Sequence, residues 1–233
     1  SMEGFHIISL SVSGIKSLDK EIKLSFYKKI ITTSPNFQEY NIKGIYGMNG
    51  SGKTAIVSAV KIFKNIMVNP NYLNSDLNQR KLNELINKST RRLCVEIEFL
   101  VELTNEESYL YRYCVTLSLN DMNDFCIKHE KLERKKATSR RADYKDLFEI
   151  EDGRFTVLDI SNGMISDLIK SKTANLLGKS SFCSLFCLSI MRGIKTDYDL
   201  NDKTIFGCVV LFLFSHSLYT YLDEKDQHDD YIL

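Results

Sequence analysis

Apolar and polar positions alternate through the first part of the chain. Ile8, Leu10 and Val12 form one such run, and Ile22, Leu24 and Phe26 form another, interleaved with Glu21, Lys23 and Ser25. A period of two puts one set of side chains on a buried face, so both segments predict strands, parted at Ser13-Gly14. Ile42 to Tyr46 reads as a short buried strand, reached through the loop Thr32 to Tyr40. After Thr54 the period changes: Ile56, Ala59, Val60, Phe63 and Met67 recur at helical spacing until Asn69-Pro70 ends the helix. Leu73 to Lys88 is polar and predicts a further helix.

Alternation then returns. Leu93, Val95, Ile97 and Phe99 are separated by Glu96 and Glu98, and Thr104 to Ser108 turns the chain into Tyr109, Tyr111, Tyr113, Val115 and Leu117. One wet and one buried face is the mark of an antiparallel meander. A third strand is expected over Phe125 to Leu132, with shorter strands flanking Glu151-Asp152-Gly153. From Asp159 onward the pattern is helical, in three segments broken near Gly178 and Gly193.

Between the strand ending at Tyr46 and the helix after Thr54 stands Gly47-Met48-Asn49-Gly50-Ser51-Gly52-Lys53-Thr54. It fits the phosphate-binding loop G-x-x-x-x-G-K-[ST] at every position. Glycines let successive backbone N–H groups turn inward as an anion nest, and the following helix aims its positive end at the phosphates. In such a loop Lys53 reaches the β- and γ-phosphates and Thr54 ligates Mg²⁺. A glycine-rich turn before an ordinary helix has no need of Lys53-Thr54, so the motif implies a bound nucleoside triphosphate with Mg²⁺.

Composition narrows the rest. The 233 residues are 43% hydrophobic and 26% charged, which fits a globular chain and excludes a disordered one. A net charge of +1 gives no general attraction to nucleic acid or anionic membranes. Six cysteines lack any C-x-x-C pair and read as free thiols of a reducing, cytoplasmic protein; Cys183 and Cys187 lack the partners a zinc site needs. No signal-peptide pattern opens the chain, and Ser1 before Met2 reads as an expression scar. Thr204 to Leu222 is uncharged for 19 residues, long enough to span a bilayer, but Ser215, His216, Ser217 and Thr220 favour a buried or partner-facing helix. His6, His129, His216 and His228 have neither metal-ligand nor triad spacing and read as structural.

Ile7-Ile8-Ser9-Leu10-Ser11-Val12-Ser13-Gly14-Ile15-Lys16-Ser17, followed some thirty residues later by the loop with its Asn49-Gly50, resembles the amino-terminal half of ABC-type AAA-family ATPases. That group includes the structural-maintenance-of-chromosomes and RecF proteins and the overcoming-lysogenisation-defect and abortive-infection ATPases of phage defence. Ile127-Lys128-His129-Glu130-Lys131-Leu132 with Leu147-Phe148 is similar to a run in the defence-type members. The resemblance implies an α/β fold, a P-loop NTPase with a mixed sheet, an antiparallel β-subdomain and a helical C-terminal part. Residues 2–158 would form the ATP-binding lobe and 159–233 the helical segment. It also implies hydrolysis coupled to head dimerisation, with a second ATPase head or the remaining C-terminal half as partner, in phage defence or DNA maintenance. Lys16 would stand near the nucleotide, or else be an exposed turn lysine.

The chain departs from that family in lacking an L-S-G-G-like signature. Its one Walker B candidate, Leu218 to Glu224, reads better as an amphipathic helix end. The implied enzyme is therefore an ATPase only when intact, with this chain alone inactive. The alternatives are a non-hydrolysing, nucleotide-dependent interaction module or another P-loop NTPase or kinase. An N-K-x-D guanine motif is missing, since Asn87-Lys88-Ser89-Thr90 stops short of the aspartate. Arg134 to Arg141 carries five basic residues in eight, and is either a solvated hairpin tip or a contact for nucleic-acid phosphates.

Overall fold

The computed structural model of the chain describes residues 2–25, 51–105, 107–138, 143–191 and 202–230. Seven strands form one open sheet in the order β2-β1-β3-β4-β5-β6-β7, antiparallel at every pairing. They are β1 (Met2–Ser13), β2 (Ile22–Ser25), β3 (Arg92–Leu103), β4 (Ser108–Leu119), β5 (Phe125–Lys136), β6 (Lys145–Glu151) and β7 (Arg154–Leu158). Short turns join β3 to β7 in succession, which is what antiparallel pairing permits. The mixed sheet expected around Ile42–Tyr46 is not seen among the described residues, and that segment lies outside them.

Among the described residues five helices accompany the sheet: α1 (Ser51–Val68), α2 (Asp76–Leu85), α3 (Gly163–Thr173), α4 (Phe182–Leu185) and α5 (Lys203–Asp230). A 3₁₀ turn, Tyr72–Asn74, precedes α2, and a π-turn, Phe186–Ile190, continues α4. The single helix expected over Leu73 to Lys88 is therefore shorter. Ser75 caps it by accepting a bond from the Asn78 N–H, and its backbone leaves helical geometry at Ile86. The break expected near Gly193 lies outside the described residues, while the one near Gly178 separates α3 from α4.

Alternation sorts the sheet into two faces. Phe5, Ile7, Leu10 and Val12 stand opposite Val101, Phe99, Ile97 and Val95, and the inner row continues through Tyr111, Tyr113 and Val115. All are buried. Helices cover this face through aromatic contacts: Phe63 of α1 meets Tyr113 edge-on at 6.1 Å, Phe182 of α4 meets Phe148 at 4.9 Å, and Phe214 of α5 meets Phe5 at 5.3 Å. Gly207 brings α5 down onto the sheet, since a Cβ there would lie 2.9 Å from both Leu132 and Tyr111. One continuous apolar cluster joins sheet and helices.

A bulge rephases β5. Leu117 pairs with Ile127 but Thr116 pairs with His129, so Lys128 is the extra residue. Phe125 and Ile127 point inward before it, Glu130 and Leu132 after it. On the outer face Arg112 binds Glu133 through two bonds of 3.2 and 3.0 Å and stacks on Tyr144 at 4.1 Å. Lys131 pairs there with Asp146 at 3.3 Å.

The long apolar stretch from Thr204 becomes the first half of α5. Its Ile205, Cys208, Leu211, Phe214 and Leu218 recur at helical spacing and are buried, as expected of a core-facing helix. No described helix is long and apolar enough to cross a membrane.

Candidate functional site

Of the residues expected to form a phosphate-binding loop, Gly47, Met48, Asn49 and Gly50 lie outside the described residues. Ser51, Gly52, Lys53 and Thr54 make the first turn of α1. That turn carries no carboxylate, so the four orphan N–H groups and the positive end of the helix are not neutralised by an acidic side chain of their own turn. Thr54 is exposed, whereas Gly52 and Lys53 are half-buried.

Immediately beyond, Ala55, Ile56, Ala59, Val60, Ile62, Phe63, Ile66 and Met67 are buried, fixing α1 as a rigid post in the core. Its far end is held as well. Ser181 Oγ donates to the Ile66 carbonyl at 3.0 Å, and Ser180 Oγ donates to that of Pro70 at 2.6 Å.

Lys16 sits in a tight left-handed turn, with φ 51°, that closes Gly14 N–H on Leu18 O at 2.8 Å. Its N–H donates to Leu85 O, and its carbonyl accepts from Asn87 Nδ2 at 2.7 Å. Asn87 Oδ1 in turn accepts from the Ser89 and Thr90 N–H groups, so this asparagine is a local turn-former. Gly14 is obligatory beside it: at φ 84° a Cβ would fall 1.7 Å from the Arg92 carbonyl oxygen.

Leu218 to Glu224 lies within α5. A Walker B aspartate ends a strand, so this candidate is excluded by its helical backbone. The first half of the basic cluster is structural in part. Arg134 lies over Tyr109 at 4.1 Å and Lys135 over Tyr144 at 4.9 Å, as cation–π contacts. Arg140 and Arg141 lie outside the described residues. All six cysteines are free. Among the described residues no group of three or more His, Cys, Asp or Glu side chains is arranged to hold a metal ion.

Sequence reasoning missed two arrangements. Glu130 is 0% exposed and accepts bonds from Tyr113 Oη at 2.7 Å and from Phe182 N–H, at the start of α4, at 2.8 Å. Burial pushes its carboxyl up to about 7, against the pull of those donors. The signal was there to find: Ile127 and Leu132 are five apart and can share a face only across a bulge, which brings Glu130 inward with them.

The second arrangement is a cross-strand row on the outer face, with Cys114 Sγ 3.8 Å from His129 Nδ1 and His129 Nε2 2.8 Å from Glu149. The His129 bond lowers the Glu149 pKa. Burial pushes the Cys114 thiol up to about 12, so the sulfur is held as a thiol, and a nucleophile needs the thiolate. The row is a polar staple between β4, β5 and β6.

No protein-family model matches this chain, and no curated protein is similar enough to match it.

Proposed function

We propose that this chain is the ATP-binding portion of an ABC-type ATPase. The observation that carries the reading is the start of α1: the helix opens on Ser51-Gly52-Lys53-Thr54, directly after the glycine loop, with no carboxylate in its first turn. The backbone of Gly47 to Thr54 cradles the phosphates, Lys53 stabilises charge on the β- and γ-phosphates, and Thr54 is the Mg²⁺ ligand. Turnover belongs to the intact assembly, in which a second head or the carboxy-terminal half supplies the missing acidic and signature residues. A cytoplasmic role in phage defence or DNA maintenance is what the resemblance implies.

The helical state of Leu218 to Glu224 favours a second reading, a nucleotide-dependent module that binds without hydrolysis. Titration with a fluorescent ATP analogue and Mg²⁺ tests the common part. The Lys53→Ala variant is expected to bind at least tenfold more weakly, and equal binding, or no binding by the unaltered chain, refutes it. Single-turnover hydrolysis in the presence of the partner head then separates the ATPase from the module.

A further inference from the structure

The turn between β6 and β7 and the end of α3 enclose an open groove of about 750 Å³ lined by Arg154, Lys170 and Lys179. It runs on past Asn120, Cys126 and Asp152 into a second hollow of about 500 Å³ bearing Arg91, Arg92 and Lys128. Six cations meet two carboxylates, Asp121 and Asp152, in a chain whose charges otherwise nearly cancel. Lys128 pairs with Asp152, and Arg91 is held by Asn83 and lies 5.1 Å over Phe125. Arg92, Arg154, Lys170 and Lys179 form no ion pair among the described residues, and all four are exposed.

The frame of the groove is fixed by backbone. Ile127 N–H donates to Gly178 O at 2.8 Å, Asp152 N–H donates to Lys128 O at 3.0 Å, and Gly153 packs against Gly178. Lys179 adjoins Ser180, whose hydroxyl is bonded to Pro70 just beyond the carboxy-terminal end of α1. Across the 18 residues of α1 its first turn, with Lys53 and Thr54, lies about 27 Å from this end, so the groove is separate from that turn. It is also at the opposite end of β5 from Lys135 and Lys136.

We propose that this groove binds a single strand of nucleic acid. Four exposed cations outside any ion pair among the described residues, spread over two adjoining hollows, can meet several phosphates of one strand, and the half-buried Phe155, packed edge-on against Phe182 at 5.2 Å, puts an aromatic edge in the groove wall. A duplex presents its phosphates on a broad convex surface and does not enter such a track.

The test is fluorescence anisotropy with labelled oligo(dT) and oligo(rU) of about 20 nucleotides, longer than the roughly 4–16 that such grooves cover. A duplex of equal length and inorganic polyphosphate serve as competitors. The unaltered chain is expected to bind the single strands and to prefer them over both competitors. Arg154→Gln/Lys170→Gln/Lys179→Gln is expected to bind at least tenfold more weakly. Its slope of log K against log salt should be shallower by about 2, from roughly 0.7 per cation lost. Lys135→Gln/Lys136→Gln is expected to bind as the unaltered chain does.

Absence of oligonucleotide binding, preference for duplex or polyphosphate, or unchanged binding by the triple variant overturns the proposal. So does loss of binding in the Lys135/Lys136 variant alone. ATP binding by the triple variant is read separately. Failure of the nucleotide reading therefore leaves this test intact, and the reverse also holds.

Discussion

Glu130 makes the stability of this fold depend on pH in a way that one substitution should abolish. Its carboxyl lies on the inner face of the sheet, 0% exposed, with Tyr113 Oη and the Phe182 N–H as donors. Folding raises its pKa from 4.5 to about 7, because burial penalises the charged form more than the two donors favour it. A raised pKa in the folded state means that its contribution to stability is complete below pH 4.5 and is lost as pH rises through about 7. At roughly 1.4 kcal/mol per unit, the loss from this group amounts to about 3 kcal/mol by pH 8.

Glu130→Gln keeps the shape. Its carbonyl can accept from Phe182 N–H while its amide donates to a reoriented Tyr113 hydroxyl. The variant cannot ionise, so its stability relative to the unaltered chain should rise by about 2.5 kcal/mol between pH 5 and pH 8. Urea denaturation of both proteins at several pH values across that window measures the difference, and taking the difference cancels every other titrating group. A difference that stays flat with pH would refute the reasoning, whatever its absolute size.

Three other outcomes follow from the packing. Gly207→Ala places a Cβ 2.9 Å from Leu132 and Tyr111, and overpacking of about 1–3 kcal/mol should exceed the roughly 1 kcal/mol gained in helix propensity, lowering the urea midpoint. A raised midpoint would show that α5 does not approach the sheet this closely. Gly14→Ala meets the Arg92 carbonyl at 1.7 Å in a left-handed backbone and should cost about 3 kcal/mol or more, seen as a large fall in Tm. Cys114, with its thiol near 12, should react with iodoacetamide at neutral pH at least a hundredfold more slowly than a free cysteine near 8.5, as followed by mass spectrometry of its peptide. Rapid labelling of the folded protein would mean that the thiol is not held neutral by burial.

Strand periodicity was the most legible part of the chain. Leu93 to Phe99 and Tyr109 to Leu117 were read on the correct faces, because a period of two survives in the sequence wherever one face is wet. The third strand was expected to stop at Leu132 but runs to Lys136. Its charged end is tolerated because Arg134 and Lys135 lay their cations on Tyr109, from the neighbouring strand, and on Tyr144. The helix of Thr204 onward was identified by its run of 19 uncharged residues, and the choice between membrane and core rested on polar residues such as Ser215. That serine is fully buried and bonds back to Leu211 O at 2.7 Å, inside the helix itself.

By itself the sequence determined most of the local elements and carried the motif of one loop. The nucleotide site proposed for Gly47 to Thr54 rests on backbone and two side chains that are contiguous in the chain, so its motif is readable without tertiary information. The tertiary structure alone decided what depends on residues far apart. It turned Glu130 inward across a bulge and brought His129 between Cys114 and Glu149. It also gathered Arg92, Arg154, Lys170 and Lys179, unremarkable singly in a chain of net charge +1, along one groove. Charge balance along a sequence is a sum, and it cannot show where folding concentrates one sign.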